Sequence, residues 1–135
     1  METAVLTKRV WVYIINLILY LGIGFLAAIP FLTLLKLHAL LYVLIALLIA
    51  ALISFIFDLI ILICSHGYTI GSAILGVRYV GSDGRTLTKR QCFIRSASET
   101  ILIFVLFDWI YFVKNRTERG VIDRLSDSFA IDIRR

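Results

Sequence analysis

At 135 residues the chain has room for one domain, and its 61% hydrophobic residues and mean hydropathy of +0.97 lie far above the roughly 45–50% apolar content of soluble domains. This composition argues against a soluble enzyme and for a fold that faces lipid. Fourteen Lys and Arg against nine Asp and Glu give +5; in a lipid-embedded chain that excess is an orientation signal rather than a sign of nucleic acid, which is not expected as a partner.

Val10 to Leu35 and Ala39 to Phe57 contain no charged residue, and each run exceeds the roughly 18 residues at which a membrane span becomes the default reading. Helix one is expected over about 8–35, with a kink or early end near Pro30. Lys8 and Arg9 resemble the basic start of a signal peptide, but the apolar run is too long and no A-x-A triplet follows, so an uncleaved signal anchor is expected. After Lys36-Leu37-His38, helix two is expected over about 39–64, making an antiparallel transmembrane hairpin with the N-terminus on the cytoplasmic side of a multi-pass cell-membrane protein.

The region 65–94 reads as a cytoplasmic loop. Gly-rich punctuation and short β-rich runs on either side of Gly81-Ser82-Asp83-Gly84 predict a β-hairpin, to which the C-terminal strand adds, since Phe129, Ile131 and Ile133 alternate onto one face. A third hydrophobic helix is expected over about 96–113. It is short for a span and carries Asp108, so it is re-entrant, interfacial or a tilted span. If it returns to its own side, thirteen of the fourteen basic residues share that side and only Lys36 lies opposite; if it spans, the basic residues divide seven against seven. The positive-inside rule favours the return. The C-terminal motif and strand occupy 114–135, and 1–135 is one membrane domain, all-α with a small β element.

Three patches resemble the RDD family of small bacterial membrane proteins. Arg9 followed by Asn16 is similar to the arginine and aspartate of the family's first helix. Gly67-Tyr68-Thr69-Ile70-Gly71, Gly76 with Val77-Arg78-Tyr79-Val80, and Arg95 resemble its loop. Arg119-Gly120-Val121-Ile122-Asp123 resembles its terminal motif. Asn16 stands where the family has aspartate, Ser72 where it has lysine and Ile122 where it has histidine; an amide does not titrate, so position 16 carries no proton. The resemblance implies membrane transport, with cation/proton exchange proposed for some members.

Arg9, Tyr13, Asn16 and Tyr20 fall near one stripe of helix one, while Ala46, Ala50, Ser54 and Asp58 form a small-residue seam on helix two. Asn16 and Asp58 lie at similar depth, about 9–11 Å from one membrane face at 1.5 Å per residue. A membrane-embedded aspartate costs on the order of 2.5–3.5 kcal/mol and requires a partner, water or a proton. Asn16, Asp58 and Asp108 are therefore candidates either for a cation or proton site or for a helix clamp. Asp123 is expected to tie the tail to the loop through Arg95 or amides near Gly71, and Glu99 to pair with Arg95 one helical turn away. Cys64, His66 and Cys92 supply only three potential zinc ligands, so no metal and no cofactor is expected. With no nucleophile and base or phosphate loop in the sequence, no enzyme is expected. Two readings follow: a homo-oligomeric transport protein for a monovalent cation or proton, or a non-catalytic accessory or assembly subunit of a larger membrane complex.

Overall fold

The structure is a computed structural model and describes residues 4, 6–34, 38–115 and 119–133. Its elements in chain order are α1 (Leu6–Thr33), α2 (Ala39–Cys64), α3 (Ile70–Leu75), β1 (Val77–Gly81), α4 (Lys89–Thr100), α5 (Leu102–Asn115), α6 (Val121–Leu125) and β2 (Ser128–Asp132). Lys36 and its neighbours at 35–37 lie outside the described residues, as do the basic residues Arg116, Arg134 and Arg135.

Among the described residues two helices are long and apolar enough to cross a membrane, α1 over Leu6–Pro30 and α2 over its whole length. They pack antiparallel along small residues. Ala28 and Ala46 share one buried cluster, a Cβ on Gly24 would come within 2.6 Å of the Ala50 carbonyl oxygen, and the Ser54 hydroxyl donates to the Tyr20 carbonyl at 2.8 Å. The buried residues of α2 are Ala46, Ala50, Ser54, Asp58 and Leu62, the expected seam and its continuation. Leu44, Leu48 and Leu52 point outward and are exposed, as a lipid-facing row should be. Pro30 lies within α1, which ends shortly after it at Thr33.

The sheet differs from the expected hairpin. The turn forms, with Gly84 N donating to the Gly81 carbonyl at 2.9 Å, but residues 85–88 are not a strand. Thr88 instead caps α4 in a reciprocal capping box with Gln91, which takes the backbone into the helix. The sheet is two-stranded, β1 antiparallel to β2, with Val77 opposite Asp132 and Gly81 opposite Ser128. The other edge of β1 is covered too, since Tyr79 N donates to the Gly67 carbonyl at 2.8 Å. Gly67 is irreplaceable there: its φ is +109°, and a Cβ would lie 2.2 Å from the Tyr79 oxygen.

The third hydrophobic stretch is not one helix over 96–113. It is divided at Ile101, whose backbone is extended, into the amphipathic α4 and the apolar α5. The axes of Lys89–Thr100 and Val105–Asn115 meet at 94°. α4 packs on α2, where Phe55 and Phe93 meet edge to face at 5.5 Å. α5 turns back across α1, bringing Trp109 to Tyr13 at 6.3 Å between ring centroids.

Candidate functional site

Two polar constellations lie beside α1. One ties the short elements that follow α2 to the long helices. Arg9 and Arg95, both essentially inaccessible, grip the two oxygens of Asp123: Arg9 Nη2 reaches Oδ2 at 2.5 Å and Arg95 Nη1 reaches Oδ1 at 2.8 Å. Arg95 also donates to Ser128 Oγ at 3.0 Å and lies over the Tyr79 ring at 3.6 Å, so it fixes both strands of the sheet. Arg9 lies 4.4 Å from the Phe112 ring centre. Burial alone would raise the Asp123 carboxyl, but Arg95 and Arg9 outweigh it and hold the group below the ordinary carboxylate range. The expected contact between Asp123 and Arg95 is present, made to the guanidinium and not to the amides near Gly71.

Asn16 and Asp108 belong to this framework. Asn16 donates to Thr69 Oγ1 at 2.9 Å and accepts from Gly71 N at 2.8 Å, locking the start of α3 against α1. Thr69 caps α3, and its side chain and that of Ser72 form the capping box, which gives the serine in the family's lysine position a structural task. Gly71 is forced by proximity: a Cβ would sit 2.8 Å from both the Asn16 side-chain oxygen and the Val12 carbonyl. Gly76 ends α3 in the left-handed conformation. Asp108 accepts from Ile122 N at 3.0 Å and from the Tyr13 hydroxyl at 3.2 Å, so it caps α6 from the side. Of the three candidates, Asn16 and Asp58 line one cavity while Asp108 is not part of its lining, and Asn16 and Asp108 each have hydrogen-bond partners of their own.

Asp58 stands apart. It is 4% exposed, and the hydroxyls of Ser96 and Tyr20 lie next to its carboxyl. Among the described residues its Oδ1, like the Ser96 hydroxyl, has no hydrogen-bond partner of good geometry. Asp58 lines a partly open cavity of about 300 Å³ between α1, α2, the end of α4 and α5. Glu99 enters the same cavity. Its carboxylate is 3.0 Å from Arg95 Nε, the expected one-turn ion pair, but the contact lacks hydrogen-bond alignment. Trp109 also lines the space, with its indole nitrogen buried and unpaired. The remaining wall combines Tyr13 and Tyr20 with the polar Asn16, Ser54 and Thr100 and with aliphatic side chains.

Within this buried region two arginines, Arg9 and Arg95, face four carboxylates, Asp58, Glu99, Asp108 and Asp123. An unpaired charge in a low-dielectric interior is costly, so each carboxyl group here calls for a hydrogen-bond donor, a countercharge or a proton. Sequence reasoning read Glu99 only as a helical ion pair. Its place in the cavity depends on the bend between α4 and α5, for which the sequence offers no signal beyond the short length of the apolar stretch.

A membrane protein with two long apolar helices, a bent third segment and a buried arginine–aspartate framework is the class these features define. The chain matches the RDD family over residues 3–127 and belongs to it. No curated protein and no solved structure matches the chain.

Proposed function

We propose that this chain is a multi-pass transport protein of the cell membrane that moves a monovalent cation or proton through the cavity at Asp58, working as a homo-oligomer. The observation that carries the reading is the buried Asp58 carboxylate, with one oxygen unpaired, facing a cavity shared with Glu99. Such a group exchanges a proton or cation more readily than one locked in an ion pair, as Asp123 is. Homo-oligomerisation fits the scale of the molecule, since two long helices and a bent segment supply little wall for a polar path.

In this reading α1 and α2 form the transmembrane hairpin with the N-terminus cytoplasmic, and α4–α5 enters the membrane and returns. The 94° bend and the pairing of β1 with β2 support that arrangement. Flux of Na⁺, K⁺ and H⁺ in proteoliposomes is the test. Wild-type protein should carry at least one of them, and Asp58→Asn should abolish it; equal flux in the two would remove Asp58 from the mechanism. A larger partner recovered in stoichiometric amount in mild detergent, with no flux by the isolated protein, would favour an accessory subunit instead.

A further inference from the structure

We propose that the ligand accepted by the Asp58 cavity is an organic monocation, a protonated amine carried on an apolar body, rather than a bare metal cation; this rests on the reading of the cavity as the cation site. The space is about 300 Å³, some ten times the ~30 Å³ share of one water in the liquid, and therefore far larger than an unhydrated inorganic ion requires. A hard cation needs about six or more oxygen ligands closing around it. Among the described residues no three His, Cys, Asp or Glu side chains are grouped to hold a metal ion.

The lining suits a different guest. Tyr13, Tyr20 and Trp109 line it with aromatic rings, Leu17, Val105 and Leu106 form apolar wall, and Asn16, Ser54 and Thr100 add a few polar groups. Aromatic faces attract organic cations, and binding sites for small organic molecules are mostly apolar with a few placed polar groups. Asp58 supplies the charge and, through its unpaired Oδ1, an acceptor for an ammonium N–H. Leu17 and Leu106 line the cavity and are also exposed on the outer surface, so with α1 across the bilayer an amphiphilic amine has a lateral route in, its apolar body leading.

The sequence contains two tryptophans, Trp11 and Trp109, so Trp11→Phe leaves the cavity residue as the single reporter. Full-length Trp11→Phe protein in phosphatidylcholine nanodiscs is titrated with 4-phenylbutylammonium, with its neutral counterpart 4-phenylbutanol, and with NaCl or KCl at matched ionic strength. The expected result is a saturable change in Trp109 emission with the ammonium, weakened about tenfold or more in the alcohol and in Asp58→Asn, where the charge-assisted contact is lost. Ala51→Phe, which fills the cavity and keeps both carboxylates, should also abolish the response, so the claim does not hang on one variant. Repeating the titration with phosphatidylethanolamine in the disc separates the sources: competition identifies a lipid headgroup amine as the occupant, and its absence identifies a free amine. Equal binding of alcohol and ammonium would overturn the inference. So would an Asp58-dependent response to Na⁺ or K⁺ alone, which would leave the transport reading standing, whereas ammonium binding without flux of any ion would sink transport and keep the site.

Discussion

Removing the charge of Asp123 would leave Arg9 and Arg95 close together in a buried region without the carboxylate they share at 2.5 and 2.8 Å, with Glu99 still beside Arg95. Breaking a buried ion pair by removing one partner costs about 3–5 kcal/mol, so Asp123→Asn should lower the thermal unfolding midpoint in detergent markedly. The pH dependence has a definite sign. Asp123 is held below its ordinary carboxyl range by the two arginines against the opposing effect of burial, so its contribution is complete above the unfolded value of about 3.9 and fades only as pH falls through the lower folded value. The stability difference between wild type and Asp123→Asn should therefore be constant from neutral pH to about 5 and shrink only below about 4; a difference that disappears already near neutrality would contradict the assignment. The contact with Arg95 was legible because the tail motif needs a basic partner on the loop. The second arginine was not, because its approach depends on how α1 leans against α6.

At the scale of elements, the α1–α2 contact distinguishes two glycines that look alike in sequence. A methyl on Gly22 would meet nothing within 4 Å, whereas one on Gly24 would lie 2.6 Å from the oxygen and 2.9 Å from the Cα of Ala50, backbone atoms that cannot rotate aside. Gly22→Ala should be neutral or stabilising, by up to roughly 1 kcal/mol from helix propensity. Gly24→Ala should destabilise by about 1–3 kcal/mol through overpacking, read as unfolding midpoints of the two variants in the same detergent. The seam was readable on α2 because in lipid only small residues let backbones approach, and Ala46, Ala50 and Ser54 recur at the helical period. The sheet was half readable. Alternation in 129–133 marked β2, but residues 85–88 carry two competing signals, a β-rich composition and the Thr88-x-x-Gln91 cap. The cap prevails because both edges of β1 are already used. Glu99 was concealed for a related reason: pairing with Arg95 satisfied it locally, and nothing in a linear sequence shows that α5 folds back to make the other wall of its cavity.

Across the whole molecule the contacts constrain how the chain can sit in a bilayer. Ala4 N donates to the Ala130 carbonyl at 3.0 Å, Lys8 pairs with Asp132, and Asp123 joins Arg9 to Arg95, so the start of α1, the loop after α2 and the tail form one layer. Were α4–α5 to cross as a single span, the tail would be separated from the loop by the hydrocarbon thickness of about 30 Å, and neither β1–β2 nor the Asp123 pairs could form. The prediction is that Ser82 and Asp127 face the cytoplasm and His38 the outside. Ser128 is a poor reporter because it is fully buried, whereas Asp127 beside it is exposed, as are Ser82 and His38. Single cysteines at these three positions, in a background lacking Cys64 and Cys92, should behave differently towards an impermeant thiol reagent applied to intact cells: His38→Cys labels at once, Ser82→Cys and Asp127→Cys only after permeabilisation. Labelling of Asp127→Cys from outside while Ser82→Cys stays protected would mean that the third segment crosses, and the layer would then have to be assembled between chains. Labelling of both from outside with His38→Cys protected would keep the fold and invert it, placing the basic layer against the positive-inside rule.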